Sequence, residues 1–239
     1  LGHTTCAKSI GYKNIQRYHD YISYLKKKFG DNVYLGTSCL YKGKSYYAKT
    51  LTIPCYDSLF RGILPFQQDV VNKHPWHTKK TGLVWRGGCS GECQVSIRRR
   101  VVNMLWDRPD CDVKLSPLYC EMPFDQKYIG QEISKEHQLR YKFILCLDGN
   151  SWPSNLEWVF FSGCVPVIIC DYHMWFYKYL KPGYHFVEIN SDLSNLLTVV
   201  DDLLTNPEKY KQISLNAQVF ARKYLQPRAI KTYIHQSIM

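Results

Sequence analysis

The chain has 239 residues, enough to bury a sizeable core as one large domain or two small ones. Its 45% hydrophobic and 21% charged residues are typical of a soluble globular protein and exclude a disordered chain, and no apolar run approaches the roughly 20 residues that cross a bilayer. A formal net charge of +11 suits a nucleic acid, an anionic membrane or a phosphate-bearing small molecule.

Lysine and arginine cluster in three separate places, residues 26–28, 79–80 and 98–100. A nucleic-acid binder usually concentrates such charge on one face or along one segment, so this dispersal counts against a nucleic-acid partner. A solvated basic surface explains many of these charges equally well.

The ten cysteines admit two interpretations. Cys146, Cys164 and Cys170 lie in or beside apolar runs, where a free cysteine acts as a small hydrophobic side chain. The pairs Cys89–Cys93 and Cys111–Cys120 flank short loops, so disulfides are compatible with an oxidising compartment. No CxxC pair occurs, which counts against a zinc site.

The first 82 residues predict one long helix and little other regular structure. Residues 12–29 carry apolar side chains at helical spacing, and Gly30 is a natural stop. Short strands are expected at 33–35 and 45–48, followed by a loop-rich stretch at 54–82.

Beyond residue 82, apolar runs that predict strands alternate with segments that predict helices. The predicted strands are 83–85, 111–115, 143–147, 165–169 and 185–189. The predicted helices are 95–106, 133–139, 154–161, 174–180, 193–204 and 207–224, the last opened by a proline. This alternation predicts an α/β fold in which helices wrap a parallel sheet.

A polar loop follows the predicted strand 143–147. Doubly wound sheets bind ligands at the carboxyl ends of their strands, which is where Asp148, Gly149 and Asn150 lie. Asp148 and Asn150 can hydrogen-bond a base or a sugar, and Gly149 allows a close backbone approach. The alternative is structural, because Asp-Gly-Asn also makes a good turn.

The helix predicted after this loop opens with Ser154 and Asn155. At that position backbone N–H groups and the helix dipole favour a phosphate. Glu157, about one turn in, can accept both hydroxyl protons of a ribose. An ordinary N-cap is the alternative role for Ser154.

A second loop places Arg86 and Gly87 directly after the predicted strand 83–85. A guanidinium at this point can hold a diphosphate bidentately. Arg98, on the following predicted helix, is a second cation for the same site. For Arg86 a structural salt bridge is the alternative.

Several stretches together resemble one enzyme family: "PWHTKKTGLVWRGGCSG", "SIRRRVV", "HQLRYKFILCLDGNSW", "FFSGCVPVI" and "WFYKYLKPGYHFVEINSDLSNLLTVV". They are similar to glycosyltransferase family 90, which holds the protein O-glucosyltransferases and the fungal capsular xylosyltransferases. The likeness covers about residues 49–224 and is densest at 140–204. It implies a GT-B-like α/β fold of two Rossmann-type lobes: a reduced N-terminal acceptor-side lobe, residues 1–110, and a nucleotide-sugar-binding lobe, residues 111–239.

The resemblance also implies a chemistry and a set of donor-binding positions. It implies a UDP-glucose or UDP-xylose donor, inversion at the anomeric centre and no metal. It puts Arg86, Gly87 and Ser90 in the family's Arg-Gly loop near the donor diphosphate, and residues 148–150 in the second donor loop. Asn155 stands where the family usually has an arginine, so another cation or the helix N-terminus must compensate.

The catalytic base is the second departure from the family pattern. The family's aspartate, in an Asn-x-Arg-Asp segment, has no counterpart in residues 33–41. Since the acceptor hydroxyl must lose its proton during transfer, Asp57 in "IPCYDS" is expected as the substitute base and Asp31 as the second candidate. An ordinary turn aspartate is the alternative for Asp57.

Aromatic residues make up 15% of the chain and include six tryptophans. Most are expected to fill the core or the surface. Trp152, Trp175 and Phe176 are the ones expected near a sugar ring, and His173 and His185 are expected to be structural.

Three functions stay open on these residues. The first is a metal-independent glycosyltransferase that moves xylose or glucose from a UDP-sugar to a hydroxyl of a glycan or glycoprotein. The second is an inactive nucleotide-sugar or carbohydrate-binding module, favoured by the missing aspartate and by Asn155. The third, a nucleic-acid binder, is the least supported, and no stable membrane insertion is expected. The family suggests the secretory lumen, and a cytoplasmic enzyme fits the sequence equally well.

Overall fold

The computed structural model describes residues 27, 39–41, 68–90, 96–117, 125–149 and 152–238. The strands in this part of the chain are β1 (Cys39–Tyr41), β2 (Lys80–Gly87), β3 (Cys111–Leu115), β4 (Tyr141–Leu147), β5 (Val165–Ile169), β6 (Tyr172–Met174) and β7 (Val187–Glu188). The helices are α1 (Gln68–Asn72), α2 (Ile97–Leu105), α3 (Lys135–Gln138), α4 (Leu156–Phe161), α5 (Leu196–Thr205), α6 (Lys211–Phe220) and α7 (Pro227–Ile238).

Five of these strands form one parallel sheet in the order β3-β2-β4-β5-β7. Numbered by their own sequence, the strands run 2-1-3-4-5 across the sheet, which is one of the two common orders of doubly wound folds. β1 and β6 pair antiparallel as a separate two-stranded ribbon.

The sheet forms because its central strands are apolar on both faces. Every residue of β4 and β5 is buried, which is the expected pattern for parallel strands covered by helices on both sides. The side chains of β4 alternate between two cores: Ile144 and Cys146 belong to one, and Phe143, Leu145 and Leu147 belong to the other.

The helices divide between the two cores. α2 and α5 pack on the face that includes Phe143, and α4 and α6 pack on the face that includes Ile144. Helices therefore cover both sides of a parallel sheet, and the predicted α/β class is confirmed.

The predicted elements agree closely with the structure in the sheet. The strands predicted at 111–115 and 165–169 have these bounds in the structure. The strand predicted at 83–85 is longer in the structure, where β2 covers residues 80–87. Cys146 and Cys164 are fully buried in the core that includes Ile144, as predicted, and Cys164 Sγ also accepts a hydrogen bond from Lys79 Nζ at 3.2 Å. The partners of the two suggested disulfides, Cys93 and Cys120, lie outside the described residues, so those disulfides stay predictions.

Two predicted helices were wrong in extent. Residues 174–180 form the end of β6 and a 3₁₀ turn (Tyr177–Tyr179) rather than a helix, because β6 finds a strand partner in β1, far away in the sequence. The single helix predicted at 207–224 begins as a 3₁₀ turn, continues as α6 and ends in a π-helical turn (Ala221–Leu225). α7 was not predicted, and the elements predicted at 12–29, 33–35 and 45–48 lie outside the described residues, apart from helical Lys27.

The strand pairing of the sheet affects where the boundary between the two predicted lobes can lie. β2 and α2 precede the boundary placed between residues 110 and 111, and β3 follows it, yet β2 pairs with both β3 and β4. A boundary at that point would divide one continuous sheet, so the lobe that contains the sheet begins before β2. The two-lobed arrangement itself stays a prediction. None of the described helices has the length and apolar character of a membrane span.

Candidate functional site

The candidate site lies at the carboxyl edge of the sheet, between β2 and β4. In the 2-1-3-4-5 order the chain leaves these two neighbouring strands in opposite directions, which opens a crevice where ligands bind. Gly88 to Ser90 follow β2, and Asp148 and Gly149 follow β4. The two predicted loops therefore meet at the switch point of the sheet.

The loops approach too closely for a side chain at Gly149. A Cβ atom at this position would lie 2.2 Å from Ser90 Oγ and 3.0 Å from Arg98 Cζ. Both distances are far below ordinary van der Waals contact, so only glycine fits here without displacement of its neighbours. The structure thus brings Gly149, Ser90 and Arg98 together, as the sequence predicted for three of the donor-binding residues.

Arg98 joins the two loops through its guanidinium group. Its Nε donates to the carbonyl oxygen of Asp148 at 2.8 Å, Nη1 to that of Gly88 at 2.9 Å, and Nη2 to that of Leu147 at 3.1 Å. The group also lies 5.6 Å from the ring centre of Trp85. Burial lowers the pKa of Arg98 and the nearby Asp148 opposes that effect; a guanidinium stays charged in either case. Arg98 therefore fixes the width of the crevice.

Asp148 is a buried carboxylate at the centre of this edge. Its Oδ2 accepts the backbone N–H of Asp171 at 3.1 Å, and Asp171 Oδ1 accepts the hydroxyl of Ser191 at 2.6 Å. Burial raises the pKa of Asp148 to about 6, helped by the charge of Asp171 and opposed by the hydrogen bond from Asp171 and the charge of Arg98. Hydrogen bonds thus link the ends of β4, β5 and the segment after β7.

Sequence reasoning missed Asp171 and Ser191. They lie directly beyond β5 and β7, at the same carboxyl edge as the loops that were identified. The rule that placed ligands at strand ends applies equally to these two strands, so the signal was present in the sequence.

The structure does not bring Arg86 to the other site residues. Its Nη2 pairs with Asp112 Oδ1 at 2.6 Å and its Nε donates to the carbonyl oxygen of Gln131 at 2.9 Å, while Nη1 donates to backbone carbonyls of Trp85 and Asp112. These contacts agree with a structural salt bridge, which was the alternative role given for Arg86. Gly87 packs under Trp85, since a Cβ there would lie 2.6 Å from the indole ring. A diphosphate contact of Arg86 stays a prediction.

The start of α4 differs in detail from the predicted helix. The N-cap is Asn155, which makes no capping bond and donates from Nδ2 to the carbonyl oxygen of Leu145 at 2.9 Å. Ser154 is exposed and precedes the cap. Glu157 is 8% exposed in the first turn. Because α4 has only six residues, few peptide dipoles add up at its N-terminus.

Other predicted site residues fall outside the site or outside the described chain. Asp57, Asp31 and Asn150 lie outside the described residues, so their roles stay predictions. Phe176 is fully buried in the core, which leaves it no contact with a sugar, while Trp175 is 3% exposed.

The two histidines expected to be structural have structural contacts. His173 stacks on Tyr177 with ring centres 4.6 Å apart, and His185 Nδ1 accepts the backbone N–H of Lys181. Trp152 is half-buried and packs against the core that includes Ile144. Across the described part of the chain, no group of three or more His, Cys, Asp or Glu side chains is placed to hold a metal ion.

A sequence model of one family, described as Glycosyl transferase family 90, matches residues 66–239. The chain belongs to glycosyltransferase family 90. The match begins just before α1 and includes every strand of the parallel sheet and both loops of the crevice. The family resemblance drawn from the sequence is confirmed.

Curated relatives of this family 90 chain cover only part of it. O-glucosyltransferase LpsA of Dichelobacter nodosus is 28% identical over 156 residues, which are 64% of this chain and 46% of the relative. Protein O-glucosyltransferase 2 of Danio rerio is 31% identical over 99 residues, or 41% and 20% of the two chains. Protein O-glucosyltransferase 3 of Homo sapiens is 38% identical over 65 residues, or 27% and 13%. The matches thus span less than half the length of each of these relatives.

Among solved structures, the sucrose-phosphate synthase of Thermosynechococcus elongatus is similar over 91% of this chain and 55% of that chain. Its TM-score is 0.48 and its sequence identity is 12%.

Proposed function

We propose that this family 90 protein is a glycosyltransferase that binds a UDP-sugar in the crevice between the loops after β2 and β4. It moves the sugar to a hydroxyl group of a glycan or a glycoprotein. Three relatives are named O-glucosyltransferases, and these names favour glucose over xylose as the transferred sugar.

The observation that carries the proposal is the meeting of two glycine-containing loops at the switch point of the sheet. A diphosphate needs backbone that it can approach closely, which Gly88 can supply, while Gly149 lets the second loop pack directly on Ser90 and Arg98. The position of Arg98 between the loops adds a fixed positive charge beside that backbone. Asp148 and Glu157 add buried carboxylates that can accept hydrogen bonds from a uracil or a ribose.

In the proposed reaction the acceptor oxygen attacks the anomeric carbon as the bond to the UDP oxygen breaks. The pair of electrons leaves with UDP, and a base takes the acceptor proton, for which Asp57 is our candidate. The attack from the opposite face inverts the anomeric centre. The guanidinium of Arg98 stabilises the negative charge that develops on the diphosphate, acting through its field because its N–H groups already bind backbone carbonyls.

Two measurements test the proposal on the full chain. Calorimetric titration should show that UDP binds, and incubation with UDP-glucose should release UDP slowly by hydrolysis. Asp57→Asn should keep the binding and lose the release. The same assays with added EDTA test the expected independence of metal. If UDP, GDP and sugar nucleotides all fail to bind, the proposal is wrong.

A non-catalytic nucleotide-sugar-binding module is the second candidate. Asn155 replaces the arginine expected from the family. Its side-chain amide donates a hydrogen bond to the carbonyl oxygen of Leu145 and adds no charge to the crevice. UDP binding with no UDP release from UDP-glucose or UDP-xylose would select this candidate over the enzyme.

A further inference from the structure

A cavity lies beside the C-terminal segment, outside the donor crevice. It has a volume of about 400 Å³, within the range of small-molecule sites. Trp175 and Tyr179, which follow β6, line it, together with Arg222, Tyr224, Arg228 and Tyr233 from the π-helical turn and α7. We call it the aromatic cavity. None of the residues assigned to the donor crevice lines it.

The aromatic rings of this cavity are held in two packed pairs. Tyr179 stacks on Tyr224 with ring centres 4.7 Å apart and planes 10° apart. Trp175 packs on Tyr233 at 4.5 Å and 38°. A lysine ammonium group also lies over two of these rings: Lys178 Nζ is 5.0 Å from the ring centre of Tyr179 and 5.2 Å from that of Tyr233. The rings thus form an apolar wall with a cation beside it, and the C–H face of a pyranose ring can pack against such a wall.

Trp175 is a buried part of the cavity wall. Its side chain is 3% exposed, and its indole N–H, which has no acceptor among the described residues, is itself buried. Trp175 therefore supports Tyr233, against which it packs, and the polar contacts to a ligand must come from other residues of the cavity.

The rim of the cavity is basic. Arg222, Lys223 and Arg228 line it and are exposed, and no aspartate or glutamate lines it. No ion pair joins these three side chains to a carboxylate within the described part of the chain. A guanidinium matches the geometry of a carboxylate or phosphate. The charge therefore selects an anionic ligand.

We propose that the aromatic cavity is a binding site for an anionic saccharide, one that carries a carboxylate or a phosphate group. The aromatic wall of the cavity packs against the sugar ring, and Arg222 and Arg228 bind the acidic group. Single-stranded nucleic acid also uses aromatic rings and cations. It fits less well, because Tyr179 and Tyr224 already stack on each other and leave no slot for a base between them.

The test is calorimetric titration of the full chain with saccharides matched in size. Tetragalacturonate provides carboxylates, glucose 6-phosphate provides a phosphate, and maltotetraose and glucose are the neutral counterparts. We expect at least one anionic sugar to bind five-fold or more tightly than its neutral counterpart, by about the amount that exposed charge pairs contribute. Saturation with UDP should leave that affinity unchanged, so the result does not depend on the donor crevice.

One substitution and one control locate the binding. Arg228→Gln should weaken the binding of the anionic sugar about five-fold. Lys231→Gln, an equal change of charge on the same helix outside the cavity, should leave that binding unchanged. The proposal is wrong if neither anionic sugar binds more tightly than its neutral counterpart, or if Lys231→Gln lowers the affinity as much as Arg228→Gln does. It is also wrong if UDP competes with the anionic sugar, or if oligothymidylate binds more tightly than both anionic sugars.

Discussion

Asp148→Asn tests the electrostatics of the crevice most directly. The wild-type carboxylate is 9% exposed and its pKa is raised to about 6 from 3.8, chiefly by burial. The folded protein therefore binds the proton more tightly than the unfolded chain does. Ionised Asp148 is a cost to the fold, and the neutral amide of asparagine removes that cost while its oxygen can still accept the N–H of Asp171.

The size of the effect follows from the two pKa values. The difference between about 6 and 3.8, at about 1.4 kcal/mol per pKa unit, is about 3 kcal/mol. The favourable contribution of protonated Asp148 is complete below pH 3.8 and is lost as the pH rises through about 6. Asp148→Asn should therefore be more stable than wild type at pH 8 by up to about 3 kcal/mol, and the gap should close as the pH falls from 6 to 4.

Urea unfolding at several pH values between 4 and 8 measures this gap. Asp192→Asn is the matched control, because the backbone N–H of Ser194 lowers the pKa of the exposed Asp192 carboxylate. That substitution should destabilise the fold at neutral pH, and its effect should fade in acid, the opposite sign to Asp148→Asn. A gap between wild type and Asp148→Asn that is constant from pH 8 to 4, or that grows in acid, would refute the reasoning.

Three further substitutions probe the site and its support. Arg98→Leu removes three hydrogen bonds to backbone carbonyls and should lower the free energy of unfolding by about 3 kcal/mol. Arg100→Leu, which loses one exposed hydrogen bond, should cost less than about 1 kcal/mol; similar losses would contradict the role of Arg98 in joining the two loops. Gly149→Ala should weaken UDP binding and destabilise the fold by about 1–3 kcal/mol through overpacking. Adding Ser90→Ala should restore part of the stability in unfolding experiments, and no recovery would exclude Ser90 as the obstacle. Gly163→Ala should lower the free energy of unfolding by about 1–2 kcal/mol, because the φ of 68° at this position is left-handed. An unchanged urea midpoint would rule out backbone strain in the alanine variant.

Much of the sheet and of the crevice could be predicted from local sequence. The run 165–169 is apolar throughout and predicted a strand with its actual bounds, because a strand buried on both faces tolerates few polar residues. The strand 111–115 was also predicted with its actual bounds, and there Asp112 and Lys114 alternate with buried residues at the edge of the sheet. The loops around Gly87 and Gly149 were identified because a glycine and polar side chains follow such a run. Strand β6 was not predicted, because its three residues depend on pairing with β1. A window of local sequence contains no information about a distant partner.

Only the tertiary structure decided which contacts the two candidate cations make. By sequence, Arg86, directly after the strand and beside the glycine, was the first candidate for the diphosphate, and Arg98 on the following helix was the second. In the folded chain Arg86 turns to Asp112 on the outer strand β3, and Arg98 reaches across to the carbonyls of Leu147 and Asp148. Composition and periodicity determine which segments are buried and where strands end, because the free energy of burying a side chain depends mainly on the chemistry of that side chain. The direction in which a long side chain points depends on which acceptors lie within a few ångströms, and only the packing of distant segments sets that.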